Sequence, residues 1–137
     1  MKIPVSIYVI AKLLSPISSP SDELFEKLDG LDMNNTTDIS NLVRMYITPH
    51  FNKYDYESRL KIKNSLEYYA CVGGGGLRRL FPMFHIPFEE PESMMDFLSL
   101  LWEGLFDHKL SCDKDFSDFE EFEGVDFANT LYRTNKV

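Results

Sequence analysis

Between Glu90 and Phe106 the sequence EPESMMDFLSLLWEGLF places apolar residues at three- and four-residue steps. Met94, Phe97, Leu98, Leu101 and Leu105 form a stripe, with Met95, Trp102 and Phe106 on its flanks. The period is that of an α-helix, and the width of the stripe is that of a helix buried on more than one side. Glu92, Ser93, Asp96, Ser99 and Glu103 remain to face water. Pro91 suits a first helical position, where its missing N–H costs nothing, and Glu90 and Glu92 meet the positive end of the helix dipole. A helix near 91–106 is therefore expected at the centre of the fold.

Shorter periodic stretches precede it. Ile3 to Leu14 follows helical steps through Val5, Tyr8, Val9 and Leu13, and Pro4 suits a first turn; its β-branched content keeps a strand open as the alternative. SPISSPS is a linker by composition. Ser19, Pro20 and Asp22 then make an N-terminal helix signal, with Leu24, Phe25 and Leu28 inward and Gly30 as the stop. Thr36 or Thr37 caps a further helix through Ile39, Leu42, Val43, Tyr46 and Ile47, which Pro49 is expected to end. Asp55 opens a helix of about four turns to Cys71, with Tyr56, Leu60, Leu66 and Tyr69 as its apolar positions, and Gly73 to Gly76 close it. Leu77 to Phe81 reads as one or two helical turns and Met83 to Phe88 as an extended strap. After a turn at His108 to Cys112, DFSDFEEFEG spaces Phe116, Phe119 and Phe122 three apart, as on one helical face with acids opposite. The sum is one all-α domain over 1–137, an irregular bundle of five to six helices.

Composition leaves this picture in place and charge sharpens it. A chain of 137 residues buries a core without help from metals or disulfides. Cys71 and Cys112 have neither metal nor redox spacing, so two buried reduced thiols are expected. Ile3 to Leu14 falls well short of a bilayer span and has no cleavage site behind it. A cytoplasmic protein without membrane contact is expected. The formal net charge is −8, and most of it comes from residues 113–126, where seven acids stand against Lys114 alone. Such a surface repels nucleic acid and favours a basic protein.

Catalytic signatures are weak throughout. Gly73 to Gly76 with Arg78 and Arg79 could cradle a phosphate, but no Lys-Ser or Lys-Thr pair follows, and the glycines come after a helix instead of opening one. An interhelical hinge is the plainer account. His50, His85 and His108 share no ligand spacing, although His108 and Cys112 are four apart. Asp113, Asp115 and Ser117 begin like a calcium loop, yet position six is Asp118 and position twelve is Gly124. Glu120 and Glu121, being adjacent, diverge on a helix and make a poor acid–base pair. No cofactor or metal is expected, and no enzymatic activity.

What stands out is the interleaving of Asp113, Asp115, Asp118, Glu120, Glu121, Glu123 and Asp126 with Phe116, Phe119, Phe122 and Phe127. Concentrated like charge repels itself, and a cationic partner would supply its purpose, with Phe119 as an apolar anchor. The acids Glu89, Glu90 and Glu92 form a second candidate patch. In its SLEYYA, FPMFHIPFEEPES, FLSLLWEGLF and DFSDFEEFEG stretches the chain resembles the immunity proteins of bacterial contact-dependent growth inhibition and related toxin systems. The resemblance implies a non-enzymatic inhibitor that binds a cognate basic toxin domain, often a nuclease. Two rivals stay open: an anion- or nucleotide-binding enzyme using Gly73 to Gly76, Arg78 and Arg79, and a structural subunit with an exposed apolar patch near Trp102 and Phe106.

Overall fold

A computed structural model describes residues 2–18, 21–83, 90–122 and 124–132. Its helices are α1 (Ile7–Leu13), α2 (Asp22–Leu28), α3 (Thr36–Leu42), α4 (Thr48–Phe51), α5 (Tyr56–Cys71) and α6 (Met94–Phe106), with a two-stranded sheet of β1 (Ile3–Val5) and β2 (Phe119–Glu121). The protein is mostly α-helical, as the sequence predicts. Ser19, Pro20, His85, Glu89, Glu123 and nearly all of the predicted strap lie outside the described residues.

α5 joins the layers. It packs against α6 on one side and against α1 and β1 on the other, while α6 also covers α3 and the segment after it. Ile62, Leu66 and Tyr69 of α5 are fully buried among Ile7, Val9, Ile10 and Leu13 of the N-terminal element and Phe97, Leu98 and Leu101 of α6. Two residues predicted to face inward do not: Tyr56 is 71% exposed and Leu60 44%. Buried Ser58 and Ser65 take the inner face instead, and each uses its hydroxyl to accept a distant backbone N–H, from Tyr132 at 2.8 Å and from Ser6 at 3.1 Å. Phe25 likewise turns outward, at 43% exposure.

The expected helix over Ile3 to Leu14 is divided at Ser6. That residue has an extended backbone and its hydroxyl accepts the Tyr8 N–H, so it is the N-cap of α1 and leaves Ile3–Val5 free to pair. Pro4 fits a strand of this kind because β1 is only three residues long and pairs here with one neighbour. Its parallel partner is β2, in register Ile3 with Phe119 and Val5 with Glu121.

Pro49 does not end its helix. From Val43 to Ile47 the chain widens into a π-helix, with the Thr48 N–H reaching back to the Val43 carbonyl, and α4 continues beyond. Proline cannot donate to the carbonyl four residues back and its ring crowds that carbonyl, so a widened turn lets the helix pass through it. Val43 on this turn touches α6 so closely that a Cβ at Gly104 would lie 2.8 Å from Val43 Cγ1. α6 itself starts later than Pro91 predicts, at Met94, because the Ser93 hydroxyl accepts the Asp96 N–H and caps it.

Candidate functional site

The acidic segment is not a helix. Its phenylalanines occupy a turn, in which the Phe119 N–H bonds to the Phe116 carbonyl, then β2, then a half-turn ending at Phe127. Phe116 and Phe119 pack edge-on and stacked against Tyr68 of α5, with ring centroids 6.4 and 5.9 Å away, so Phe119 is a half-buried anchor to the fold. Phe122 is 41% exposed and rests on Phe127.

The segment is tied to α5 at two points. At the start, Cys112 is joined to Cys71 in a disulfide with Cα atoms 5.5 Å apart. This corrects the expectation of two buried thiols: Cys112 is exposed, Cys71 is half-buried, and the last turn of α5 brings one sulfur to the other. In β2, Glu121 points inward. Its Oε1 accepts the Tyr69 hydroxyl at 2.9 Å and the Gly76 N–H at 3.0 Å. Burial, and then the Glu121 carboxylate, push the Tyr69 phenol far above its ordinary value, so it stays a donor.

The same contact decides the glycine loop. A Cβ at Gly76 would lie 2.6 Å from Glu121 Oε1, and one at Gly74, where φ is +77°, would lie 3.0 Å from Oε2. These glycines admit a carboxylate, and that carboxylate is the chain's own. Arg78 and Arg79 are exposed beyond it, and Arg78 shares a hollow of about 400 Å³ with Glu90, opposite in charge to a phosphate site's usual lining.

Of the predicted contact acids, Asp113, Asp115, Asp118, Glu120 and Asp126 are exposed, Glu121 is committed to the fold, and Glu123 lies outside the described residues. None of the five exposed acids forms an ion pair among the described residues. Lys114, the one cation in the stretch, turns back to the buried carboxylate of Glu67 at 2.8 Å and lies over the Phe119 ring, so it leaves its neighbours uncompensated. The backbone N–H and hydroxyl of Ser117 hold the Asp115 carboxyl below the usual range. Asp115 is therefore ionised wherever the protein is folded near neutral pH.

His50 is the histidine that most invites a catalytic reading. Its Nε2 lies 3.2 Å from Ser15 Oγ, the spacing of a nucleophile and base. The same nitrogen lies 3.0 Å from the Lys12 carbonyl, which can only accept, and 3.2 Å from the Tyr54 hydroxyl; the tautomer that satisfies the carbonyl has its proton on Nε2 and cannot take one from Ser15. The group is a helix-linking hydrogen bond. Among the described residues no three His, Cys, Asp or Glu side chains gather as metal ligands. Trp102, offered as an exposed patch for assembly, is 3% exposed and lies with Phe106 under the Lys63 ammonium. No described helix is long and apolar enough to cross a membrane.

The residues that sequence reasoning missed are Glu121, Tyr69 and Gly76 as a unit, and the Cys71–Cys112 bond. Four glycines beside an acid-rich stretch far along the chain were the visible trace of the first; nothing in the spacing marked the second. No protein family, curated protein or solved structure matches this chain, so its function has to be argued from its own residues.

Proposed function

We propose that this chain is a non-enzymatic binding protein that captures a basic protein through Asp113, Asp115, Asp118, Glu120 and Asp126, in the manner of an immunity protein neutralising a cognate toxin domain. The observation that supports it most is that these carboxylates are exposed and without ion pairs among the described residues, four of them on a stretch fastened to α5 at Cys112 and Glu121, with Asp126 beyond the second tie. A fastened segment loses little conformational entropy on binding, and uncompensated like charge is relieved by a cationic partner. Electrostatic steering then gives rapid, salt-sensitive association.

Against the enzyme alternative stands the Glu121 carboxylate, which accepts the Gly76 N–H of the glycine loop. Cytoplasmic residence belongs to the same proposal and is the part that the disulfide weighs against, since such bonds persist mainly in oxidising compartments. Alkylating free thiols at the moment of lysis decides it: two alkylated cysteines keep the cytoplasmic reading and none refutes it. The proposal itself is tested by co-expressing the chain with the products of neighbouring genes and retrieving it at low and moderate salt. A basic protein held one-to-one at low salt and released by moderate salt is the expected result; retention of no basic protein refutes it.

A further inference from the structure

A hollow of about 500 Å³ opens between α1, α4 and the Ala128–Thr130 turn. Tyr8, Ala11, Tyr54, Val125 and Ala128 supply most of its wall, giving it the size and apolar character of a small-molecule site with a few polar groups at its edge. The chain carries 22 acidic residues, yet no carboxylate is among the described residues lining this hollow. The neighbouring concavity beside Pro49, which shares Ser15 and His50, likewise has no carboxylate among its described lining residues, and three others contrast with both. The one at the start of α6 holds Glu92 and Asp96, that beside Arg44 holds Glu103 and Asp107, and that beside the glycines holds Glu90.

Lys12, Ser15, His50 and Asn129 are the polar residues of its lining besides the two tyrosines. Lys12 lines the hollow and makes no ion pair among the described residues. Ser15, three positions on, is exposed and lines it too. With the His50 Nε2 proton directed to the Lys12 carbonyl, Ser15 Oγ and the Tyr54 hydroxyl, each 3.2 Å from that nitrogen, can stand to its N–H only as further acceptors. The Ser15 hydroxyl hydrogen is thereby left to donate elsewhere. An ammonium and a hydroxyl donor beside an aromatic wall match a carboxylate carried on a flat apolar body.

We propose that this hollow binds a small aromatic carboxylate, its ring lying against Tyr8 and Tyr54 and its carboxylate on Lys12 and Ser15. The site is separate from the acidic segment and stands whether or not that segment binds a protein. Its test uses the full chain with 2-naphthoate as the probe and neutral 2-naphthamide beside it, followed by calorimetry and by amide shifts in 15N-labelled protein. Saturable one-to-one binding of the naphthoate is expected, with shifts centred on Ala11, Ser15 and Asn129. The amide, and the naphthoate on Lys12→Gln, should each bind about tenfold more weakly, the loss of one charge-assisted contact. Ala11→Leu, which fills the hollow, should abolish binding; Lys12→Gln, at a half-exposed position, keeps the test valid if that variant does not fold. Absence of saturable naphthoate binding, equal affinity for the amide, undiminished binding by Lys12→Gln, or shifts centred elsewhere would each overturn the proposal.

Discussion

Glu121→Ala separates the acids that serve the fold from those that serve a partner. The wild-type carboxylate accepts two hydrogen bonds, from buried Tyr69 and from Gly76, at 2.9 and 3.0 Å. A hydrogen bond to a charged group contributes about 1.5–3 kcal/mol, and Glu121 is only half-buried, so the lower half of that range applies to each. The substitution should then cost roughly 3 kcal/mol, much of it from leaving the Tyr69 hydroxyl without an acceptor. With an unfolding entropy of about 2.1 cal/mol/K per residue over 137 residues, this corresponds to a fall in Tm of about 10 °C. Glu121→Gln keeps an acceptor but not the charge, and should lose about half as much. The measurement is thermal and urea unfolding followed by circular dichroism, with the exposed neighbour Glu120→Ala as reference. Tyr69→Phe adds a second axis: combined with Glu121→Ala it should cost about 1–2 kcal/mol less than the two singles together, because they share one bond. If Glu121→Ala melts with Glu120→Ala, or the double mutant is additive, Glu121 does not clamp the segment.

Further predictions follow from the other ties. Reducing Cys71–Cys112, or replacing both by serine, reopens a loop of 41 positions and should lower stability by up to about 4 kcal/mol on the chain-entropy estimate, seen as a drop in Tm with dithiothreitol; an unchanged Tm contradicts the bond's structural role. Gly104→Ala should destabilise by about 1 kcal/mol, since overpacking against buried Val43 outweighs the gain in helix propensity, and a rise in Tm would contradict the close approach. Tyr69 is raised above its unfolded value of 10.0, so the folded chain retains a proton that the unfolded chain gives up. The resulting stability is present below about pH 10 and falls as pH rises beyond it, a decline that urea titrations at successive alkaline pH should show and that Tyr69→Phe should lessen.

The parts of the fold legible in the sequence are those that local pattern decides. α6 follows from apolar spacing and α5 from the Asp55 cap and the glycines, with only Leu66 and Tyr69 of its four predicted apolar positions facing inward, and their ends err only where Ser93 displaced Pro91 as the cap signal. The parts that were not legible depend on partners far away in the chain. Ile3–Val5 and Phe119–Glu121 each carry a helical spacing of apolar residues, and become strands because they pair with one another across more than a hundred intervening residues. Phe116, Phe119 and Phe122 show how a three-residue period can arise from a turn followed by a strand. The acidic segment was legible as charge, and Asp113, Asp115, Asp118, Glu120 and Asp126 are exposed. That Glu121 belongs to the core side depends on where Gly76 and Tyr69 arrive, which spacing does not encode.

The most direct test of the binding proposal is the association rate of the retrieved basic protein with wild-type chain and with Asp118→Lys/Glu120→Lys, measured against ionic strength. Both positions are exposed, so the variant should melt as the wild type does. The account predicts slower association at low salt, a flatter dependence on salt and weaker binding. Equal rates and affinities for the two proteins at every ionic strength would place the partner somewhere other than the acidic segment.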